Sequence, residues 1–244
     1  MDSIIPPSPP NNNHGQQCRW HAYSNTPLLE QAAAGHIFAV AQNALDTRNA
    51  FHLVLAGGNT PRHVYELLRH FKTDWRLWHI YFGDERCLPA ADQERNSHMA
   101  AQAWLAHVDI PAKQIHTIPA ELGAQRAAQL YAQTVNNIAL FDMVILGLGE
   151  DGHTASLFPQ HGLGNTSASP AAIAVLDAPK PPAQRVSLSA HRLSQTRQLI
   201  FLVSGSGKQQ AVAAWRHGIP IPAAAITPAT GVDIYLEESL LKIQ

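Results

Sequence analysis

Four clusters of polar residues, each directly after a short apolar run, hold the groups that could do chemistry in this chain. The densest lies in residues 141–159, FDMVILGLGEDGHTASLFP. Met143 to Leu146 reads as a short buried strand, broken by a loop with Gly147, Gly149 and Gly152. Asp151, His153, Thr154 and Ser156 crowd at its carboxyl end, where open α/β sheets bind their ligands. Histidine titrates near neutrality and suits proton transfer, so His153 is the candidate reacting group, acting as a general base. Asp151 can orient the imidazole or the loop. A short helical segment is expected to follow and to stop at Pro159, because proline restricts the residue before it.

The second cluster follows Phe51–Leu55 (FHLVL): Ala56-Gly57-Gly58-Asn59-Thr60-Pro61. Thr60 can cap a helix and Pro61 suits its first position. Val64, Leu67, Leu68 and Phe71 then recur at helical spacing. Such a turn aims backbone N–H groups from the positive end of a helix, a ready anion site. It can equally be a tight turn that needs glycine only for its backbone angles. The run Trp78–Phe82 (WHIYF) ends in the third, Gly83-Asp84-Glu85-Arg86. Arg86 can form a bidentate pair with a phosphate or carboxylate, or an ordinary surface ion pair. The fourth cluster, Ser204-Gly205-Ser206-Gly207-Lys208, follows Leu199–Val203 (LIFLV), and a Gly-Lys pair at a helix start can hold a simple phosphate.

Two motif look-alikes fail on context. Gly147 to Gly152 satisfies G-x-G-x-x-G, but the next acidic residue, Asp177, lies beyond a Pro- and Gly-rich loop instead of ending a second strand. Gly205 to Lys208 resembles the end of a Walker A loop, but positions 202 and 209 are Leu and Gln where Gly and Ser or Thr are needed. There is no G-x-S-x-G, which weighs against Ser156 or Ser206 as an acyl-enzyme nucleophile. The 14 histidines are scattered, with no His-x-x-x-His or Cys-x-x-Cys spacing to suggest zinc.

These clusters need a scaffold, and the pattern supplies one. Helices are expected over 28–45, 94–107, 121–139, 209–216 and 237–243, with further strands at 172–176, 185–188 and 232–236. Their alternation implies an α/β fold, a single doubly wound, mostly parallel sheet with helices on both faces. Residues 1–20, rich in Pro and Asn, read as a disordered tail, and 21–244 as a single domain. Of 244 residues 45% are hydrophobic and 14% charged, with a net charge of -1, which argues against a nucleic-acid or anionic-membrane surface. No apolar run approaches the roughly 20 residues of a membrane span. The start lacks the features of a secretory signal. Cys18 and Cys87 are too few for a disulfide framework, so a reducing cytoplasm is expected.

Taken together, AGGNTP (56–61), GDERCLP with Asp92 and Asn96 (83–96), LGLGEDGHTASLFP (146–159), Arg185 in PPAQRVSLS, and GSGK (205–208) closely resemble the 6-phosphogluconolactonase family. That family shares a superfamily with the glucosamine-6-phosphate isomerase/deaminases. The likeness runs from about residue 24 to 240. Ala56 stands where the family usually has Ser, Asn96-Ser97 where Ser-Asn is common, and Gln160 where Gly is usual. The resemblance implies hydrolysis of 6-phosphoglucono-1,5-lactone to 6-phosphogluconate. By motif position it assigns the substrate's phosphate to Gly57, Gly58, Thr60, Arg86 and Lys208, and gives Arg185 to the phosphate or a sugar hydroxyl. It implies a small sugar-phosphate lactone as partner, needs no metal or cofactor, and implies no obligate protein partner. The alternative on the same fold is an amino-sugar-6-phosphate isomerase/deaminase. In those enzymes the stretch after the histidine ends in a carboxylate, whereas here it is Thr-Ala-Ser-Leu-Phe-Pro. A non-catalytic sugar-phosphate binder would keep the phosphate groups and lose the base.

Overall fold

A computed structural model describes residues 12–13 and 15–242. In chain order the strands and helices are β1 (Asn12–Asn13), β2 (Gln16–Tyr23), α1 (Thr26–Arg48), β3 (Phe51–Leu55), α2 (Asn59–Leu68), β4 (Trp78–Phe82), β5 (Asp84–Arg86), α3 (Asn96–Ala103), β6 (Ile115–His116) and α4 (Ala124–Asn136). They continue with β7 (Phe141–Gly147), β8 (Ala172–Val175), β9 (Arg185–Leu188), α5 (Ala190–Ser194), β10 (Thr196–Val203), α6 (Gln209–Arg216) and β11 (Val232–Glu237).

The main sheet has the order β1-β2-β11-β10-β7-β3-β4-β6. Every pairing from β2 to β6 is parallel, and only the short β1 runs against its neighbour. Crossovers between parallel strands are right-handed. The connections β2–α1–β3, β3–α2–β4 and β4–α3–β6 step along the sheet in one direction, and those through α4, α5 and α6 step back. The first three helices therefore cover one face and the last three the other. In agreement, α1 packs on α2 and α2 on α3. Covered on both sides, β7 is buried from Phe141 to Leu146, which is why Met143 to Leu146 reads as an unbroken apolar run instead of an alternating one.

The direction of winding reverses between β3 and β7, which are neighbours in the sheet. Their carboxyl-terminal loops leave in opposite directions and open a crevice between them, the place where doubly wound sheets bind ligands. Beside it, β5, β9 and β8 form a separate antiparallel sheet that packs on α4. No helix among the described residues is long and apolar enough to cross a membrane.

Three expectations need correction. The tail does not extend to residue 20, because Gln16–Tyr23 is a strand of the main sheet, paired with β11; residues 1–11 and 14 lie outside the described residues. Gln16, Cys18 and Trp20 face the core. The Gln16 amide is satisfied there, donating to Ala223 O (3.0 Å) and Ile226 O (2.6 Å) and accepting from Trp215 Nε1 (2.8 Å). Helix α2 begins at Asn59 with Gly58 as its cap, so Thr60 lies inside the first turn and caps nothing. No helix follows His153: Thr154 to Leu157 form a bridge and turn, with Ala155 at φ 48. The polar side chains there bond to distant strands, and those buried bonds override local helical preference.

Candidate active site

The loop after β7 is closed by its own backbone. Gly149 N–H donates to His153 O (2.7 Å), Gly152 N–H to Gly149 O (3.1 Å), and the Thr154 hydroxyl to Gly147 O (2.8 Å). The imidazole of His153 lies so close to Gly149 that a Cβ there would sit 2.0 Å from its Nδ1. Nδ1 is 2.5 Å from Asp151 Oδ1, which also accepts the His153 backbone N–H at 3.1 Å. Burial raises the Asp151 pKa, but the two bonds from His153 outweigh it and hold this carboxyl below its usual range. An ionised Asp151 fixes the proton on Nδ1 and leaves Nε2 as the lone-pair nitrogen. Nε2 has no partner among the described residues. The ring rests on Phe158 at 4.8 Å between centroids.

The second wall comes from the end of β4. Asp84 is buried and accepts from Ser156 Oγ at 2.6 Å and from Asn96 Nδ2 at 3.0 Å. Burial raises its pKa; the Ser156 bond opposes this, Glu85 adds to it, and Arg185 and His153 pull it down. Glu85, fully buried, accepts from the backbone N–H groups of Arg86, Asn96 and Ser97, from the Ser97 hydroxyl, and pairs with Arg95 at 3.4 Å. These bonds clamp the loop 87–95 and bring Asn96 against Gly57, where a Cβ would meet Asn96 Oδ1 at 2.0 Å.

The cleft between these walls has a volume of about 450 Å³ and lies at the β3/β7 reversal. Gly57, Gly58, Arg86, His153, Arg185 and Lys208 all line it. Arg86 is held through NH1 by Glu94 O (2.8 Å). Arg185 is 9% exposed, braced by Pro182 O (3.2 Å) and Lys180 O (2.9 Å), with its guanidinium 5.7 Å from the Phe158 ring centre. Burial lowers its pKa, with Asp84 opposing; a guanidinium stays charged regardless. Asp151 is behind His153 and not in the lining. Thr60 is also outside it, its hydroxyl 2.6 Å from Ser204 Oγ. Two residues not singled out from sequence, Lys180 and Glu150, join the wall, as does Asn96, which the sequence offered only as part of a motif. Asp84 was visible only as a polar residue ending a strand; its burial depends on Ser156, 72 positions away. A larger, mostly apolar cavity of about 660 Å³ lies beyond Phe158 and Ile221. It holds none of the clustered cations, so the smaller cleft is the candidate site. No group of three or more potential metal ligands occurs among the described residues.

The arrangement can therefore hold an anionic group by backbone N–H groups and fixed cations while an oriented imidazole accepts a proton beside it. The family profile described as glucosamine-6-phosphate isomerases/6-phosphogluconolactonase matches residues 24–235. The 6-phosphogluconolactonase of Mycobacterium leprae (strain TN) is 33% identical over 91% of this chain and 96% of its own. That of Synechocystis sp. is 32% identical over 77% of this chain and 80% of its own. The crystal structure of 6-phosphogluconolactonase from Thermotoga maritima superposes with a TM-score of 0.84 at 24% identity, covering 91% of this chain and all of that one, a likeness of fold.

Proposed function

The chain belongs to the glucosamine-6-phosphate isomerase/6-phosphogluconolactonase family, and from that premise we propose that it is a carboxylic ester hydrolase opening 6-phosphoglucono-1,5-lactone to 6-phosphogluconate. The curated relatives named above carry that activity in their names. The observation that carries the mechanism is the Asp151–His153 pair, with Nδ1 held at 2.5 Å, in a cleft also lined by Arg86, Arg185 and Lys208. A lactone is an activated ester, so water is a sufficient nucleophile once a base takes its proton. His153 Nε2 takes that proton as the water oxygen bonds to the C1 carbonyl carbon. The negative charge moves to the carbonyl oxygen, where loop N–H groups can stabilise it. Collapse breaks the bond from C1 to the ring oxygen, which takes the proton back from His153. Gly57, Gly58, Arg86 and Lys208 hold the 6-phosphate, and Arg185 the phosphate or a hydroxyl, fixing the ring relative to His153. Thr60, turned to Ser204, supports that turn from behind.

The test is proton release from freshly made 6-phosphogluconolactone, corrected for spontaneous hydrolysis, in wild type and His153→Ala. Wild-type acceleration that falls ~100-fold or more in the variant is expected for a lost general base. Acceleration that survives the substitution removes the base from His153. A folded wild type that leaves the lactone alone and instead turns over glucosamine 6-phosphate replaces the reading with the isomerase one.

A further inference from the structure

The loop Ser204–Lys208 bears one of the cleft's cations, and residues outside the cleft set its shape. Gly205 has φ 88, and its carbonyl accepts the Lys208 N–H at 3.1 Å, closing the short 3-10 turn Ser206–Lys208 that leads into α6. The Gly205 N–H points the other way, to Glu237 Oε2 at 2.9 Å. Glu237 ends β11, the strand next to β10. Its other oxygen accepts the Thr26 hydroxyl from the start of α1. One carboxylate thus ties the loop to two elements that are not part of the cleft.

We propose that Glu237 is a positioning residue for phosphate binding, anchoring Gly205 so that Lys208 is presented to the cleft. This rests on the sugar-phosphate reading above. A carboxylate near a phosphate site carries an electrostatic cost. Here each of its oxygens has a donor, so the charge is spent on geometry. One further contact braces the same loop, the Ser204–Thr60 hydroxyl pair at 2.6 Å. The two braces come from β11 and α2, so the loop is referenced to the end of the strand beside β10 and to the helix that follows the Gly57–Gly58 turn.

Glu237→Gln separates geometry from charge. Its carbonyl oxygen can still accept from Gly205 N–H, and its amide can donate to the Thr26 hydroxyl, which is both donor and acceptor. Glu237→Ala loses both bonds. The measurements are kcat and KM for the lactone, and calorimetric binding of inorganic phosphate and of 6-phosphogluconate. In Glu237→Ala, KM is expected to rise about tenfold with kcat within about twofold, and the affinity for 6-phosphogluconate to fall by the same factor. Glu237→Gln is expected to match wild type or bind slightly more tightly, since a repulsive charge is gone. Thr26→Val, which removes only the outer bond, is expected to raise KM by a smaller factor and serves if Glu237→Ala does not fold. Unchanged KM and phosphate affinity in folded Glu237→Ala, or a Gln variant as impaired as the Ala one, would overturn the assignment. If wild type turns over no lactone but phosphate binding weakens in Glu237→Ala, the anchor stands and the lactonase reading falls.

Discussion

Replacing Gly149 by alanine tests whether the ring of His153, the proposed base, depends on the backbone it lies against. The added Cβ would sit 2.0 Å from His153 Nδ1 and 2.2 Å from Cε1. Gly149 is not among the glycines at positive φ, so alanine can adopt its backbone angles and the three nearest atoms it would meet all belong to the ring. Real carbon contacts begin well beyond 3 Å, so the imidazole must retreat by more than an ångström. It cannot do so and keep the 2.5 Å contact with Asp151 Oδ1 or its packing on Phe158. Losing a charge-assisted hydrogen bond costs ~1.5–3 kcal/mol, and an ångström of misplacement at a reacting centre costs ~100-fold in rate. The expected result is a ~100-fold lower kcat with KM little changed, because the atoms nearest the added Cβ belong to His153 and not to the cations proposed to hold the phosphate. Proton release on the lactone measures it. The companion is the double variant with His153→Ala. If Gly149→Ala acts only through the imidazole, it costs nothing further once the imidazole is gone. Activity within about threefold of wild type, or a full additional loss in the double variant, would refute the reasoning.

Two stability effects follow from buried polar groups. Ser156→Ala removes the donor at 2.6 Å from the buried carboxyl of Asp84 and is expected to destabilise the fold by ~1–3 kcal/mol; an unchanged urea midpoint at pH 7 would show that Asp84 finds another donor. His52 is pushed down to about 4, first by burial and then by its neighbour His79, against the pull of Asp142, and His79 and His116 are lowered too, chiefly by burial. Between the usual histidine range and about 4 the unfolded chain binds protons that the folded chain does not, so stability falls as the pH drops through that window. After discounting for its partial exposure, His52 accounts for ~1–2 kcal/mol of that loss. Urea unfolding from pH 7 to pH 4 should show a shallower decline in His52→Leu, and an identical slope would remove the assignment.

What could be read from the sequence was what is encoded locally. β3, β4, β7 and β10 are dominated by apolar residues instead of alternating with polar ones because both faces of the sheet are covered. The helical spacing of Val64 to Leu68 and the glycines after β3 and β7 marked the ends that form the crevice. Elements whose stability comes from distant partners were not legible. Asp84–Arg86 is a strand only because Arg185 to Ser187 lies alongside it. Gln16–Tyr23 carries polar residues at both core and edge positions and follows a Pro- and Asn-rich stretch, so its alternation of buried positions was masked. The helix expected after His153 is absent because Ser156 is drawn to Asp84 and Ser187. Thr60 sits in the glycine turn proposed to hold phosphate, but Ser204 takes its hydroxyl, and nothing near position 60 announces that.

The pairing of β2 with β11 also has a consequence for how the molecule is made. Arg19 and Asp233, joined by a bidentate ion pair across these strands, are 214 positions apart. As the chain leaves the ribosome, β2 emerges early but stays without its parallel neighbour until β11 has been synthesised. β7, the strand at the centre of the sheet, also appears after β3, β4 and β6. Until then the nascent sheet has open edges that can capture other extended chains. Pairings this long in sequence are slow to close. Synthesis of this protein should therefore depend on chaperone supply more strongly than that of an equally long chain built from neighbouring hairpins.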